Sequence, residues 1–286
     1  MSDENVLVVA FDGLDYELIQ EFDLDNIPQE EFGKIDNSTD VYSIKTSELF
    51  ASFITGETWE EHGVKGIDKY KDPKKRKVFS LLAPDRYVKN VRGFYRLQTI
   101  LEGILDTERV RHRKEDIQVP TLFEKINDSR AISVPSYNPS WAWMMVLAKP
   151  MQMGGTKEDA EEFCEMDHMW RKKEVEDLLG YDFPYSFSMI HLHKSDLWQH
   201  LYGFPVRDEE ELQKMYEEMD EYAGDIKQKA LETGYDTVIF MSDHGLPTEK
   251  QHNENAFYSS NKELFTNEKP HITDFHDEIL ERTGKH

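Results

Sequence analysis

The chain has 286 residues, of which 38% are apolar and 12% aromatic, enough for one large domain or a domain carrying an insertion. Its 57 Asp and Glu outweigh 34 Lys and Arg, and a net charge of −23 argues against a general nucleic-acid or anionic-membrane surface. Cys164 is the only cysteine, which excludes a disulfide framework and a cysteine metal cluster. The acidic start Met-Ser-Asp-Glu-Asn does not read as a signal peptide, and no apolar run approaches the ~20 residues of a spanning helix. A soluble, cytoplasmic protein is expected.

Taken in chain order, residues 6–11 are a continuous apolar run, the mark of a strand buried on both faces. Asp12 and Gly13 end it, and a helix is predicted near 15–22. Residues 41–44 read as a second short strand. Residues 46–56 read as a helix with Thr46 or Ser47 as cap, Glu48 in the first turn and Gly56 at the end. Residues 65–114 then change composition, with 15 Lys and Arg against 6 Asp and Glu. Within them 69–77 is a basic loop and 87–110 is mostly helical in pattern. Residues 65–118 are therefore taken as a small, mostly helical cap or insertion, between core segments 1–64 and 119–286. A solvated pair of surface helices and an anion-binding surface are both open readings of it.

Beyond the insertion, 120–127 reads as a short helix and 131–134 as a strand ending in a Pro-Ser-Tyr-Asn-Pro turn. A charged helix is predicted over 157–179, a strand over 185–193, and a helix or helical turn over 194–202. A long amphipathic helix over 209–233 leads to a strand at 237–241. Residues 257–259 give one more strand and 272–282 a final helix. Strands alternating with helices predict an α/β fold, with a mostly parallel central sheet flanked by helices.

The strand ends carry the chemistry. Asp12 closes the first strand, Thr46 opens the helix at 46–56, Asp196 and His200 follow the strand at 185–193, and Asp243 and His244 close the strand at 237–241. His252 lies in the loop beyond. In a parallel sheet these carboxyl ends share one rim, where open α/β sheets bind ligands. Asp196 and His200, at i and i+4, fall on one face of a helical turn. Three carboxylates and three imidazoles on one rim call for a cationic counter-charge, with zinc or manganese the leading divalent ions. His191 and His193 are read as strand residues with partners of their own.

Five segments in order resemble the alkaline phosphatase superfamily, and within it the type I phosphodiesterase and nucleotide pyrophosphatase group. They are Val-Val-Ala-Phe-Asp-Gly at 8–13, Lys-Thr-Ser-Glu-Leu-Phe-Ala-Ser-Phe-Ile-Thr-Gly at 45–56, Glu-His-Gly-Val at 61–64, Ser-Asp-Leu-Trp-Gln-His at 195–200 and Met-Ser-Asp-His-Gly at 241–245. The resemblance implies an alkaline phosphatase-like core and a hydrolase with two divalent metal ions, Zn2+ first and Mn2+ second. It implies Thr46 as nucleophile, with Asp12, Thr46, Asp243 and His244 around one ion and Asp196, His200 and His252 around the other. The substrate implied is a small-molecule phosphate ester, a phosphodiester or nucleotide pyrophosphate.

The sequence departs from that pattern in two places. An Asn that follows the His-Gly segment in many of these phosphodiesterases is missing, since Gly66 leads into Ile67 and Asp68. His252 is followed by Asn253 where the pattern has Gly, and His271 and His276 are the alternatives to it. His62 is expected to be structural, and Cys164 lacks a sulfatase context. Tyr137 and Asn138 are candidates for the substrate pocket. A phosphomonoesterase or phosphomutase, and an inactive binding protein that keeps the fold, remain the competing readings.

Overall fold

The computed structural model describes residues 3–70, 109–140, 157–202, 209–247 and 252–284. In chain order its elements are β1 (Val6–Phe11), α1 (Tyr16–Glu21), β2 (Glu31–Lys34), α2 (Thr46–Thr55), α3 (Trp59–His62), β3 (Asp68–Tyr70), β4 (Arg109–Arg111), α4 (Leu122–Lys125), β5 (Ser129–Ile132), α5 (Lys157–Leu179), β6 (Phe187–Leu192), α6 (Lys194–Tyr202), α7 (Glu209–Thr233), β7 (Thr237–Met241), β8 (Phe257–Ser260) and α8 (Asp274–Arg282).

The three apolar runs β1, β6 and β7 lie in the middle of a six-stranded sheet of order β2-β8-β7-β1-β6-β5. β5, β6, β1 and β7 are parallel, β8 runs antiparallel to β7, and β2 antiparallel to β8. The fold is thus α/β with a mostly parallel sheet. Every residue of β1, β6 and β7 is buried, as an apolar strand covered on both faces must be. Along β1, Val6, Val8 and Ala10 join a core with α2 and α8, while Leu7, Val9 and Phe11 join one with α5 and α7. The period of two thus divides a single run between two cores. Among the described residues no helix is long and apolar enough to cross a membrane.

Several expectations need correction. Residues 41–44 form no strand; the first partner beyond β8 is β2. The main-chain N–H groups of Tyr42 and Ser43 are taken by the Glu48 carboxylate, so they do not enter a ladder. Helix α2 has Lys45 as its N-cap residue without a side-chain cap bond, and Thr46 is already its first helical residue. The strand expected at 131–134 begins and ends two residues earlier, and Ser133 adopts a positive φ of 58° just beyond it. Most of the helix expected over 87–110, and of the basic loop over 69–77, lies outside the described residues. The described flanks instead pair as a two-stranded antiparallel ribbon, β3 with β4, so Arg109 and Val110 are in a strand.

Candidate metal centre

Sheet direction collects the functional groups. The carboxyl ends of β1, β6 and β7 deliver Asp12, the His193–Asp196 turn and Asp243–His244 to one rim. Across from them α2 presents Thr46 at its first turn, 2% exposed. Gly13, with φ 73°, turns the chain sharply after Asp12, and a Cβ there would press on Asp196. His252 is brought in by its own loop. Asn253 donates to Asp15 Oδ2 at 2.6 Å, its N–H bonds Leu246 O at 3.0 Å, and Pro247 bridges to His252. Asp15 also caps α1 through Glu17 N at 2.9 Å and accepts from Leu246 N. Gly245 sits where a Cβ would overlap both Asn253 and Asp15. Asn253 in place of a glycine is therefore a clamp on the loop that carries His252.

Two of the three possible donor groups gather the predicted ligands. In one, His244 Nε2 is 3.4 Å from Asp12 Oδ1, 3.4 Å from Asp243 Oδ2 and 3.3 Å from Thr46 Oγ1. In the other, His200 Nε2 is 3.2 Å from both Asp196 Oδ1 and His252 Nε2. These separations exceed the 2.7–2.9 Å of charge-assisted hydrogen bonds. They match the edge of a tetrahedron around a zinc ion, about 3.3 Å for bonds of about 2.0–2.1 Å. His244 Nδ1 lies 2.8 Å from Gly245 O, so it carries the proton and donates. Nε2 then faces two carboxylates and the Thr46 hydroxyl, an arrangement that a cation would complete. Asp12 Oδ1, Asp196 Oδ1 and Asp243 Oδ2 are buried without a hydrogen-bond partner among the described residues. Orphaned acceptors of this kind are costly unless a ligand completes them. The donor set fits two divalent ions.

The electrostatics agree. Burial, with Asp243 and Asp196 close by, drives the Asp12 carboxyl well above the usual carboxylate range. Burial acts the same way on Asp196, but His200 and His193 outweigh it and hold that carboxyl well below. Burial and the neighbouring His244 bring His252 down to about 2, so its imidazole is neutral and ready to ligate at any working pH. His200 is buried as well, yet Asp196 raises it. Burial lowers Lys45, the N-cap residue of α2, and the charge of Asp196 opposes it.

Behind the ligands, His191 and His193 have partners at the strand end, as the sequence suggests, and those partners belong to the site. His191 Nε2 is 3.0 Å and His193 Nε2 3.4 Å from Asp12 Oδ2, and His193 Nε2 is 3.7 Å from Asp196 Oδ2. Asp12, His193 and Asp196 form a third group of potential ligands. The alternation over 185–193, which puts both histidines on one face of the strand end, was the available signal. Asn37 Nδ2 donates to Asp243 O at 2.6 Å, and Ser195 Oγ to Asp12 O at 2.5 Å.

The remaining candidates make contacts of their own. Asn138 closes its own turn, accepting from Val134 N and donating to Ala131 O, each at 2.9 Å. Tyr137 packs its ring on Phe123, 4.5 Å between centroids. Both have structural duties, and Ser136 beside them donates to Ser47 O at 2.6 Å, so their turn lies against the first turn of α2. His271 bonds Thr39 O and His276 lies between Lys125 and Asp277, so neither competes with His252. His62 is structural, as expected, with Nδ1 accepting from Val64 N and Nε2 donating to Ser52 Oγ, both at 3.1 Å. Burial pushes the Cys164 thiol up to about 12 and leaves it inert.

Residues 6–276 match the type I phosphodiesterase / nucleotide pyrophosphatase family. None of the curated proteins compared with the sequence matches it. The solved structures it is similar to include murine ectonucleotide pyrophosphatase/phosphodiesterase 5, as an inactive variant in complex with AMP, at 14% identity and TM-score 0.49. The same murine protein is matched at 15% identity and TM-score 0.48, and human ectonucleotide pyrophosphatase/phosphodiesterase 5 at 14% and 0.48. Each match covers 85% of this chain and 57% of the other, so the chain spans little more than half the length of those proteins. On the match over residues 6–276, the chain belongs to the type I phosphodiesterase / nucleotide pyrophosphatase family.

Proposed function

We propose that this chain hydrolyses phosphate esters, of phosphodiester or nucleotide pyrophosphate type, with Thr46 as nucleophile beside two divalent ions. The observation that carries the reading is the Thr46 hydroxyl, 3.3 Å from His244 at the N-terminus of α2, bordering carboxylates and imidazoles spaced as metal ligands. Asp12, Thr46, Asp243 and His244 would hold one ion, and Asp196, His200 and His252 the other. Zinc suits this nitrogen and oxygen set, and manganese is the second choice. When bound, two such ions supply charge stabilisation to the entering and leaving oxygens of an in-line displacement at phosphorus.

The chain's own groups do the rest. The N-terminus of α2 favours the alkoxide form of Thr46, whose proton passes to solvent. Thr46 Oγ1 forms a bond to phosphorus as the bond to the leaving oxygen breaks, giving a phosphothreonine. Water then displaces Thr46 and frees the phosphoryl product. His244, its Nδ1 proton fixed on Gly245 O, keeps Nε2 free as a ligand beside the reacting hydroxyl.

The test is turnover of bis(4-nitrophenyl) phosphate beside 4-nitrophenyl phosphate by zinc-loaded protein. Thr46→Ala is expected to lower turnover by at least about 1,000-fold, the scale of losing a covalent nucleophile. It should keep most of the bound zinc, because three ligands remain around that ion. Turnover that survives in Thr46→Ala would sink the nucleophile assignment. A wild-type protein that prefers the monoester would move the substrate class and leave the site in place.

A further inference from the structure

The donor group of Asp12, Asp243 and His244 and the donor group of Asp196, His200 and His252 meet at one turn. Gly13, the residue after Asp12, donates its N–H to Asp243 Oδ1 at 3.4 Å, and a Cβ on it would lie 3.1 Å from Asp196 Cβ. Its carbonyl accepts from Gln199 Nε2 at 2.9 Å. The same Nε2 donates to Ser195 O at 3.0 Å, and Ser195 Oγ donates to Asp12 O at 2.5 Å. Both carbonyls of the Asp12–Gly13 turn are thus taken by side chains of α6. Ser195 and Gln199 stand four residues apart on that helix, each one residue before a ligand, Asp196 or His200. One stripe of α6 therefore grips the turn of the first donor group, and the adjoining stripe carries ligands of the second.

Packing alone does not explain Gln199. It is 1% exposed, and its Oε1 is buried with no hydrogen-bond partner among the described residues. The side chain satisfies one buried acceptor, Gly13 O, and leaves another, so hydrogen bonding by itself gains the fold little. The amide cannot be turned over, because Oε1 would then face two carbonyl oxygens. Nor is the side chain needed to seat α6 on its neighbours. Lys194 Nζ, on the same helix, lies 2.9 Å from Glu165 of α5 and 2.8 Å from Glu218 of α7. What Gln199 adds is a fixed separation between α6 and Gly13.

We propose that Gln199 is a positioning residue that couples the two ion sites, holding the Asp12 turn of one at a set distance from the Asp196 and His200 helix of the other. This rests on the two-ion reading of the donor groups above, and not on the reaction assigned to them. Fixing the Asp12–Gly13 turn fixes Gly13 O, and with it α6 and its two ligands. Ordering one donor group thus lowers the cost of ordering the other, and by linkage the effect is reciprocal. The coupling offsets part of the repulsion between two neighbouring cations. Ser195, on Asp12 O, is the parallel link.

The experiment uses the full chain as wild type, Gln199→Met, Ser195→Ala and Asp220→Ala. The last unties residues 26 and 27 from α7 and is the control for lost stability alone. Stepwise cobalt affinities are read by competition with a chelator, and folding by melting temperature in chelator. The spacing of the pair is read from the magnetic coupling of two bound manganese ions. Gln199→Met is expected to weaken both cobalt ions roughly 10-fold, the scale of losing an outer partner of a ligand, and to change the manganese coupling. Ser195→Ala, milder for the fold, should weaken both ions by less and carries the same test if Gln199→Met does not fold. Asp220→Ala should melt lower and keep wild-type affinities and coupling. A fall confined to one ion would overturn the proposal, as would affinities within twofold of wild type with the coupling unchanged. So would equal losses in Asp220→Ala, since Gln199 would then serve only the fold. A wild type that binds a single ion would sink the two-ion reading itself, whereas two ions in an unaffected Gln199→Met would sink only this inference.

Discussion

Two clusters of buried acid in this chain have opposite designs. Asp220 of α7, 5% exposed, accepts from Asn26 N at 2.9 Å, from Ile27 N at 2.7 Å and from Asn26 Nδ2 at 2.8 Å. The protein itself completes that carboxylate, and the loop after α1 is tied down by it. Asp12, Asp196 and Asp243 are buried as deeply, yet each keeps an oxygen with no hydrogen-bond partner among the described residues, and they face one another's charge. A burial pattern alone would class the two clusters together. What separates them is satisfaction: a structural carboxylate is surrounded by donors, whereas a ligand carboxylate is surrounded by other acceptors.

Substitution should split the clusters by sign. Asp220→Ala leaves buried N–H groups of the 25–27 segment unpaired and is expected to cost about 3 kcal/mol with or without metal. Asp12→Asn removes a charge that burial already disfavours, so the metal-free variant should melt no lower than wild type. It should lose the stabilisation that zinc gives the wild type, about 4 kcal/mol at 1,000 times the dissociation constant. Thermal melts with zinc and with chelator check both. If Asp12→Asn and Asp220→Ala fell alike in chelator, the acceptor-only description of the rim would be wrong.

The same contrast explains what could be read from the sequence. The central strands were legible because an unbroken apolar run such as 237–241 admits few other readings, and their ends marked Asp12, Asp243 and His244 directly. Asp196 with His200 followed from helical spacing. The strand at 31–34 was missed because Glu-Phe-Gly-Lys is a partly exposed edge strand with no run to announce it. Residues 41–44 misled because their β-like side chains say nothing of Glu48, which captures the main chain from within α2. The duties of Asp15, Asn253 and Asn37 depend on contacts across more than 200 residues, beyond the reach of any local pattern.

A smaller effect separates the histidines along the same line. His62 uses both ring nitrogens on the protein, and burial brings its pKa down to about 4. The unfolded chain, with an ordinary histidine near 6.5, takes up that proton first. Stability is therefore intact above pH 6.5, declines as the pH falls from 6.5 to 4, and reaches its full loss below 4. The lost amount is about 3 kcal/mol. Denaturant titrations in chelator, at pH 7 and pH 4.5, should show a steeper fall for wild type than for His62→Gln. Equal falls would mean that His62 is not held neutral by the fold.

The finest distinction lies between ligand and support at the rim itself. His193 is close to Asp12 Oδ2 and Asp196 Oδ2, while the opposite oxygens, Asp12 Oδ1 and Asp196 Oδ1, face His244 and His200. Each carboxylate thus turns one oxygen toward the end of β6 and the other to a donor group, and His193 comes within 4 Å of both outer oxygens. Outer partners of this kind orient ligands and are worth 10- to 100-fold in metal affinity. His193→Gln, which keeps an N–H near the same place, should bind cobalt about tenfold more weakly than wild type, and His193→Leu more weakly still. Both should keep two ions at saturation with little change in the visible cobalt spectrum, because the ligand set is untouched. A wild type that takes up three cobalt ions, falling to two in His193→Leu, would make His193 a ligand and the third donor group an ion site in its own right.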